Sequence, residues 1–377
     1  MKRRRVYLLA PVLLTGILAV ALAIVPTFVF ASGGSFIGPF NKISTVASTV
    51  PANGDVNPYG VAVVPSTIGK LVKGNILISN FNNSANLQGT GTTIVQVTPG
   101  GSVSVFAKLR AGALHGSCPG GVGLTTALVA LQRGWVIVGS LPTSDGTSAT
   151  AKSGCLIVLD SKGNPVETFT GSNINGPWDM TAFDGGNWAA LFVTNVLNGT
   201  VAANGKVVNR GTVLRINLNV PKQGPGMPSR QGTTIIGSGF PQRTDPAALV
   251  IGPTGLGLGS NNTLYVANSL SNRIAAIPNA LTRNSTAHTG NNVSANGALN
   301  DPLGLTVAPN GNILTANGND GKIVETTPFG TQVAKKLVDN TGTPPGAGCL
   351  FGLGIVPGGS GVYFVDDCTN TLNLLSK

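Results

Sequence analysis

Six apolar segments of this chain each end in a small polar residue, and these residues are candidates for ligand chemistry. Amide and carboxylate oxygens suit Ca²⁺, which prefers several carboxylates or carbonyls. Asn and Asp also tie loops to the backbone through side-chain hydrogen bonds, so a structural role and a ligand-binding role are both open. Acidic groups occur only at the last position, where Asp367 follows. The six residues are Asn80, Ser140, Asn195, Asn268, Asn317 and Asp366.

Asp179, which follows Trp178, is a second candidate. Its segment Gly176-Pro177-Trp178-Asp179-Met180 has five related segments in the chain. We predict that Asp179 projects toward a channel, where an ionised carboxylate is costly unless it is paired or metal-bound. Arg210 and Arg215 are possible partners, and the alternative is that Asp179 caps a backbone turn. The related segments place small residues at this position, namely Gly60, Gly121, Ala248, Gly304 and Gly352.

Complete catalytic sets of the familiar kinds are absent from the sequence. Only two histidines occur, His115 and His288, so a three-histidine zinc site is excluded. No Ser-His-Asp arrangement can be argued from spacing, and no CxxCH motif is present for a covalent haem. The glycine-rich stretch at 255–259 is not followed by a helix pattern, which argues against a dinucleotide-binding loop.

The elements that would position these residues repeat along the chain. Residues 299–337 read as four short strands, with Asn310-Gly311 and Phe329-Gly330 at turns. Such a sheet is apolar on both faces and must stack against copies of itself. Its first strand recurs as Asn57-Pro58-Tyr59-Gly60-Val61, Cys118-Pro119-Gly120-Gly121-Val122, Gly176-Pro177-Trp178-Asp179-Met180, Asp245-Pro246-Ala247-Ala248-Leu249 and Cys349-Leu350-Phe351-Gly352-Leu353.

The repeat resembles the NHL-repeat and SMP-30-like six-bladed β-propellers. The best match is Leu264-Tyr265-Val266-Ala267-Asn268-Ser269 followed by Asn272-Arg273-Ile274. The resemblance implies an all-β, six-bladed β-propeller with four-stranded antiparallel blades. The last unit lacks a fourth strand, and we predict that residues 42–49 supply it by pairing with residues 371–375, which would close the ring. The predicted blades cover residues 57–108, 118–169, 176–237, 245–289, 301–337 and 349–377.

The same resemblance places ligands at the mouth of the central channel. It implies that the candidates for ligand binding at this mouth are Asp179, Trp178, Asn80, Asn195, Asn268, Asn317 and Asp366. The similar calcium lactonases use a glutamate from an early strand, and neither Glu167 nor Glu325 matches it. Nor is the three-histidine zinc of lyases with this fold available. The fold is therefore implied more specifically than any activity.

Four cysteines allow three pairings. Cys118 and Cys349 hold equivalent places ahead of first strands, and Cys155 and Cys368 hold equivalent places between second and third strands. In a propeller blade these two places share one face of the disc. We therefore predict the bridges Cys118–Cys155 and Cys349–Cys368, rather than a metal site, since no CxxC motif occurs.

The first 31 residues combine four basic residues with a long uncharged apolar run and Ala31 at a cleavage-like position. This pattern predicts a signal peptide or an N-terminal membrane anchor, with residues 32–377 forming the propeller outside the cytoplasmic membrane. The net charge is +11, and the leader supplies four of these charges. The remaining basic residues are scattered, which argues against a nucleic-acid site.

The leading hypothesis is an exported, non-catalytic, monomeric binding module for a protein or glycan outside the cell, without a cofactor. Contact with a membrane would come only through an uncleaved leader, in which case the protein could be a tethered envelope component. The alternative is a divalent-metal-dependent hydrolase or lactonase with its site at the channel mouth. Its Ca²⁺ or other divalent cation would be held by Asp179, Asn195, Asn268 and Asp366.

Overall fold

A computed structural model describes Met1, residues 34–171 and residues 173–377. The predicted signal peptide or anchor therefore lies, apart from Met1, outside the described residues. Residues 34–377 make one compact unit. Within the described part of the chain, no helix has the length and apolar character needed to cross a membrane.

The fold is a six-bladed β-propeller of antiparallel sheets, as predicted. The chain begins with β1 (Lys42–Ser48) and then builds the sheets in order. The first two sheets contain β2 (Val56–Val63), β3 (Ile76–Asn82), β4 (Thr93–Val97), β5 (Val103–Lys108), β6 (Leu124–Ala130), β7 (Val136–Ser140), β8 (Cys155–Leu159) and β9 (Pro165–Phe169). The third and fourth contain β10 (Pro177–Asp184), β11 (Trp188–Asn195), β12 (Val208–Asn219), β13 (Ser229–Asp245), β14 (Leu249–Ile251), β15 (Pro253–Leu258), β16 (Leu264–Asn268), β17 (Arg273–Ile277) and β18 (Asn291–Ala295). The last two contain β19 (Pro302–Val307), β20 (Ile313–Asn317), β21 (Lys322–Thr326), β22 (Gln332–Leu337), β23 (Leu350–Ile355), β24 (Gly361–Asp366) and β25 (Thr371–Ser376).

Helical structure in the described residues is limited to short pieces. They are the helix α1 (Thr200–Ala203) and the 3₁₀ turns Ala111–Ala113, Ser148–Thr150 and Ser269–Ser271.

The ring is closed by β1, which confirms the prediction that residues 42–49 complete the last sheet. Strand β1 pairs antiparallel with β25, from Lys42 opposite Ser376 to Ser48 opposite Thr371. The Thr45 hydroxyl also donates to Asn373 Oδ1 at 2.9 Å. The sixth sheet thus has the order β1-β25-β24-β23, and its outer edge is covered by the start of the described chain.

The strand burial follows from the stacking of sheets. All residues of β3, β7, β16 and β20 are buried, because second strands are covered on both faces. The outermost strand β22 instead shows no fully buried residue. Apolar clusters fill the spaces between neighbouring blades, for example around Phe192, Phe240 and Leu264.

Two first strands lie later in the sequence than predicted. Strand β6 replaces the predicted strand at 118–122, and β15 replaces the one at 245–249. The residues around 243–251 instead extend the third sheet, because Asp245 at the end of β13 pairs with Leu249 in β14. The third sheet therefore has five strands, and the fourth runs to Ala295.

Candidate functional site

The inner strands meet in a ring of small residues, interrupted by Asp179. Strand register places Ala127 and Gly255 at this level in the second and fourth sheets, in place of the predicted Gly121 and Ala248. At Gly255 glycine is needed because neighbouring inner strands touch. A Cβ atom on Gly255 would lie 2.6 Å from the Leu303 carbonyl oxygen. The complete ring is Gly60, Ala127, Asp179, Gly255, Gly304 and Gly352.

The Asp179 carboxyl group bridges two blades. Its Oδ1 accepts the Met180 N–H, and its Oδ2 accepts the Leu256 N–H of β15, both at 2.8 Å. Burial raises the pKa of Asp179 to about 8, although both backbone hydrogen bonds act to lower it. Within the described residues, Asp179 forms no ion pair with Arg210 or Arg215. The carboxyl group therefore lacks a cationic partner.

Aromatic side chains close the channel on the side where the first strands begin. Tyr59 stacks on Phe351 with ring centroids 3.7 Å apart, and on Phe81 at 4.4 Å. Trp178 lies 6.1 Å from both Tyr59 and Phe81, and it is almost fully buried. We call Tyr59, Phe81, Trp178 and Phe351 the aromatic plug. Trp178 thus packs within the protein rather than lining an open mouth.

A hairpin from the third sheet covers this plug. We define the mouth hairpin as the β13–β14 turn with its flanking residues, 243–251. Its Leu249 and Val250 are buried in the same apolar cluster as the plug. The Gln88 side-chain amide, from the first sheet, donates to the carbonyls of Pro246 and Ala247 at 3.2 and 3.1 Å. The hairpin is therefore held across the predicted channel mouth by its turn and by its second strand.

The amides at the ends of the second strands are engaged in internal hydrogen bonds. They tie neighbouring loops to the strands, which is the structural role left open above, and their binding of a ligand remains a prediction. The contacts run from Asn80 Nδ2 to the Thr49 carbonyl (3.0 Å), from the Asn175 N–H to Asn195 Oδ1 (2.7 Å), from the Ser271 N–H to Asn268 Oδ1 (3.1 Å) and from Asn317 Nδ2 to the Ala298 carbonyl (2.7 Å).

Asp366 belongs to an acidic group on the channel-mouth face. Single ligand-type atoms of Asp339, Cys349, Asp366 and Cys368 lie within 4.8 Å of one another. The two sulfurs form the Cys349–Cys368 disulfide, so they are not thiolate ligands. The Cys118–Cys155 bridge is present as well, and both predicted pairings are confirmed. Of the two predicted carboxylate ligands, Asp366 lies in a group of this kind among the described residues and Asp179 does not.

The acidic cluster, which we define as Asp339, Asp366 and Asp367, has the donor chemistry of a hard-cation site. Burial raises the pKa of Asp366, and Asp339 adds to the effect. Burial also raises the pKa of Asp367 well above its ordinary value, with Asp366 and Asp339 contributing. No Lys or Arg pairs with these carboxyl groups in the described residues. Carboxylate oxygens without a cationic partner fit Ca²⁺ or Mg²⁺.

A cleft of about 230 Å³ lies on the same face. Arg243 and Asp245 of the mouth hairpin line it, with an Nη2–Oδ2 distance of 2.9 Å. Asp301 lines it too, and its Oδ1 has no hydrogen-bond partner among the described residues. Burial, with a smaller contribution from the Asp245 charge, raises the pKa of Asp301 to about 6, although Ser269 and Arg243 act to lower it. Phe351 of the plug also lines this cleft.

Most of this cleft was not predicted from the sequence, because the segment 245–249 resembles an inner strand. The segment Gly252-Pro253-Thr254-Gly255-Leu256 matches Gly176-Pro177-Trp178-Asp179-Met180 better. With that match, the mouth hairpin would not have been assigned to an inner strand. The local sequence did not predict Asp339 as a site residue, because it follows an outer strand and lies near Asp366 only in the folded chain.

Solved structures with this fold include several enzymes. A gluconolactonase from Xanthomonas campestris is 13% identical, with a TM-score of 0.55 and coverage of 90% of each chain. A luciferin-regenerating enzyme is 11% identical, with a TM-score of 0.54 and coverage of 89% of this chain and 95% of that one. Regucalcin from Agrobacterium tumefaciens, a calcium-binding protein, is 12% identical, with a TM-score of 0.53 and coverage of 89% and 93%.

No protein-family model and no curated protein matches the chain. At the identities given, likeness to solved structures shows the fold, and the resemblance to SMP-30-like propellers is confirmed at that level. The expectation of a non-catalytic binding module is corrected, because the similar structures are largely those of enzymes. They agree better with the alternative, a hydrolase or lactonase. The expectation that no cofactor is bound has no support either, given the acidic cluster.

Proposed function

We propose that the protein is a divalent-cation-dependent hydrolase of esters or lactones, acting on the channel-mouth face. The observation that carries this proposal is the gathering of Asp339, Asp366 and Asp367 without a basic partner. Buried like charges repel one another, and a divalent cation offsets that repulsion. A gluconolactonase and a calcium-binding protein among the similar structures support the same class.

The cleft beside the cluster is the proposed substrate site. Gly348 and Phe351 line the cleft, and Cys349 between them belongs to the group around Asp366. The two features therefore share one short segment of chain. Arg243 supplies positive charge, where it can attract the oxygens of an acyl group or of the acid product.

Asp301 is the proposed general base. With a pKa of about 6 it is mostly ionised at pH 7, and its buried Oδ1 accepts no hydrogen bond from the described residues. The water oxygen attacks the acyl carbon while Asp301 takes the proton. The acyl C–O bond then breaks, and the proton passes to the leaving oxygen, giving a carboxylic acid and a hydroxyl group. A cation held by the acidic cluster would polarise the carbonyl oxygen.

We also propose that this chemistry takes place outside the cytoplasm. Both disulfides require an oxidising environment. The basic and apolar pattern of the first 31 residues supports export, either with cleavage or with retention as an anchor.

Calorimetry with Ca²⁺, Mg²⁺ and Zn²⁺, together with hydrolysis of δ-valerolactone, tests the proposal. We expect saturable binding of one divalent cation, lactone hydrolysis that EDTA abolishes, and loss of both in Asp366→Asn. Asp301→Asn should keep cation binding and lose at least about 100-fold in hydrolysis rate. Asp160→Asn, in the β8–β9 turn, is the matched control. Absence of cation binding, or unchanged hydrolysis in Asp366→Asn, would refute the proposal.

A further inference from the structure

A second site lies on the other side of the aromatic plug. The inner strands of all six sheets enclose a central cavity of about 360 Å³. Residues at the starts of these strands, such as Trp178 and Phe351, are buried in the plug. Residues toward their ends, such as Val63 and Ile355, are partly exposed. The cavity therefore opens on the face opposite the mouth hairpin.

The walls of this cavity combine polar groups with aliphatic side chains, and Thr126, Thr181 and Thr306 are among the lining residues. Toward the open end each sheet contributes a partly exposed aliphatic residue, namely Val63, Ala130, Ala182, Leu258, Val307 and Ile355. A volume of this size suits a small organic molecule whose apolar part lies at that end.

The charge of the cavity contrasts with that of the chain. The whole chain carries +11, yet no Lys, Arg or His is among the described residues lining the cavity. The two charged residues there are acidic, Asp179 at the plugged end and Asp184 toward the opening. β2, β6, β15, β19 and β23 contribute no titratable group to the lining. A cation is therefore favoured and an anion disfavoured.

Asp179 has capacity to bind such a cation. Each of its oxygens accepts one backbone N–H, which leaves further lone-pair sites on the carboxylate. The two N–H groups also fix its orientation at the cavity end. Without a positive partner the carboxyl group is largely protonated near pH 7 because burial raises its pKa to about 8. A bound cation would favour the ionised form.

We propose that the central cavity binds a primary ammonium ion carried on a slender aliphatic chain, with the ammonium group on the Asp179 carboxylate and the chain against the aliphatic residues at the open end. A metal ion fits less well, because Ca²⁺ sites gather several carboxylates or carbonyls and Asp179 is the one carboxylate at the plugged end of the described lining. The site is separate from the proposed hydrolase site, since the aromatic plug stands between Asp179 and the mouth hairpin.

Binding of n-alkylammonium ions to the purified protein, measured by calorimetry and by NMR at pH 8.5, tests this site. We expect saturable binding of n-butylammonium, with affinity about three- to fourfold higher for each added methylene until the cavity is filled. 1-Butanol should bind at least tenfold more weakly. EDTA should leave the binding unchanged, so that failure here is distinguishable from failure of the proposed hydrolase.

Asp179→Asn should weaken n-butylammonium binding at least tenfold, and Asp184→Asn, at the opening, should weaken it less. If Asp179→Asn fails to fold, the pH dependence of the unsubstituted protein decides. Below pH 8, amine binding should then release about one proton, because Asp179 must ionise. The affinity for n-butylammonium should fall about tenfold for each unit by which the pH is lowered. No saturable amine binding, or equal affinity for butanol and butylammonium, would overturn the proposal and leave a cavity that holds water only.

Discussion

Glu325 shows how one carboxylate fixes the start of the described chain. It lies in β21 and is fully buried. Its oxygens accept hydrogen bonds from the Phe36 N–H at 2.7 Å, the Ile37 N–H at 2.9 Å and the Asn312 side chain at 2.6 Å. Ser35 donates its hydroxyl as well. The residues before β1 are thus held against the fifth sheet by a carboxylate that does not match the glutamate ligand of the calcium lactonases.

Replacing this carboxylate should destabilise the protein. In Glu325→Gln one oxygen becomes an NH₂ group, so the donors on that oxygen lose their acceptor, and the free energy of unfolding should fall by about 1–3 kcal/mol. Guanidinium chloride denaturation measures this, with Glu167→Gln as the matched control. Equal stability of the two variants would show that the contacts to residues 35–37 contribute little.

The same group gives a pH dependence of known sign. Burial alone would raise the pKa of Glu325, but hydrogen bonds from Asn312, Ser35, Phe36 and Ile37 hold it below its ordinary value. A lowered pKa in the folded state means that the stabilisation is present above the unfolded-state pKa. It is lost as the pH falls below about 4.5 through the folded-state pKa. The difference between Glu325→Gln and the unsubstituted protein should therefore shrink in acid.

Asp179 illustrates what a single sequence reveals about a site. The repeats predicted that it is the one acidic member of a ring of small residues, although Gly121 and Ala248 were wrongly assigned to that ring. The hydrogen-bond donor to its Oδ2 was not predictable, because Leu256 lies 77 residues away and contacts Asp179 only where two blades pack. Contacts between blades depend on the ring closing, and local patterns do not encode them.

The strands that were placed correctly and those that were not differ in their surroundings. Second strands are continuous apolar runs buried on both faces, so their positions were evident. The start of β15 was missed because Asp245-Pro246 imitates the Asp301-Pro302 that precedes β19. In the folded chain Asp245 instead caps the turn of the mouth hairpin, where its Oδ1 accepts the Ala247 N–H at 2.9 Å.

The two disulfides should stabilise their sheets unequally. Cys118–Cys155 closes a loop of sequence separation 37, and Cys349–Cys368 one of 19. Loop-closure entropy predicts losses of about 3.8 and about 3.2 kcal/mol when each pair is replaced by serine. Chemical denaturation in EDTA measures both variants without any contribution from a bound cation. Unchanged stability in either double variant would contradict a structural role for that bridge.

Closure of the ring by β1 determines whether the propeller has free edges. With β1 in place, the N–H and C=O groups of β25 are paired along the full strand. Ile37 and Phe40, just before β1, are buried in the cluster between the fifth and sixth sheets. Six sheets that bury most of their apolar surface against neighbours should unfold together, because no blade is stable alone.

Removal of this segment should therefore affect the whole propeller and not only the sixth sheet. A chain starting at residue 50 exposes the edge of β25 and the apolar surface that Ile37 and Phe40 cover, so it should aggregate or lose its cooperative unfolding transition. A chain lacking only residues 2–33 is the matched control and should unfold in one transition. Calorimetry and light scattering compare the two. Adding a peptide of residues 34–50 should restore the transition, because β25 offers a complete set of partners for it. If the shorter chain unfolds at the same denaturant concentration as the control, β1 does not hold the ring closed.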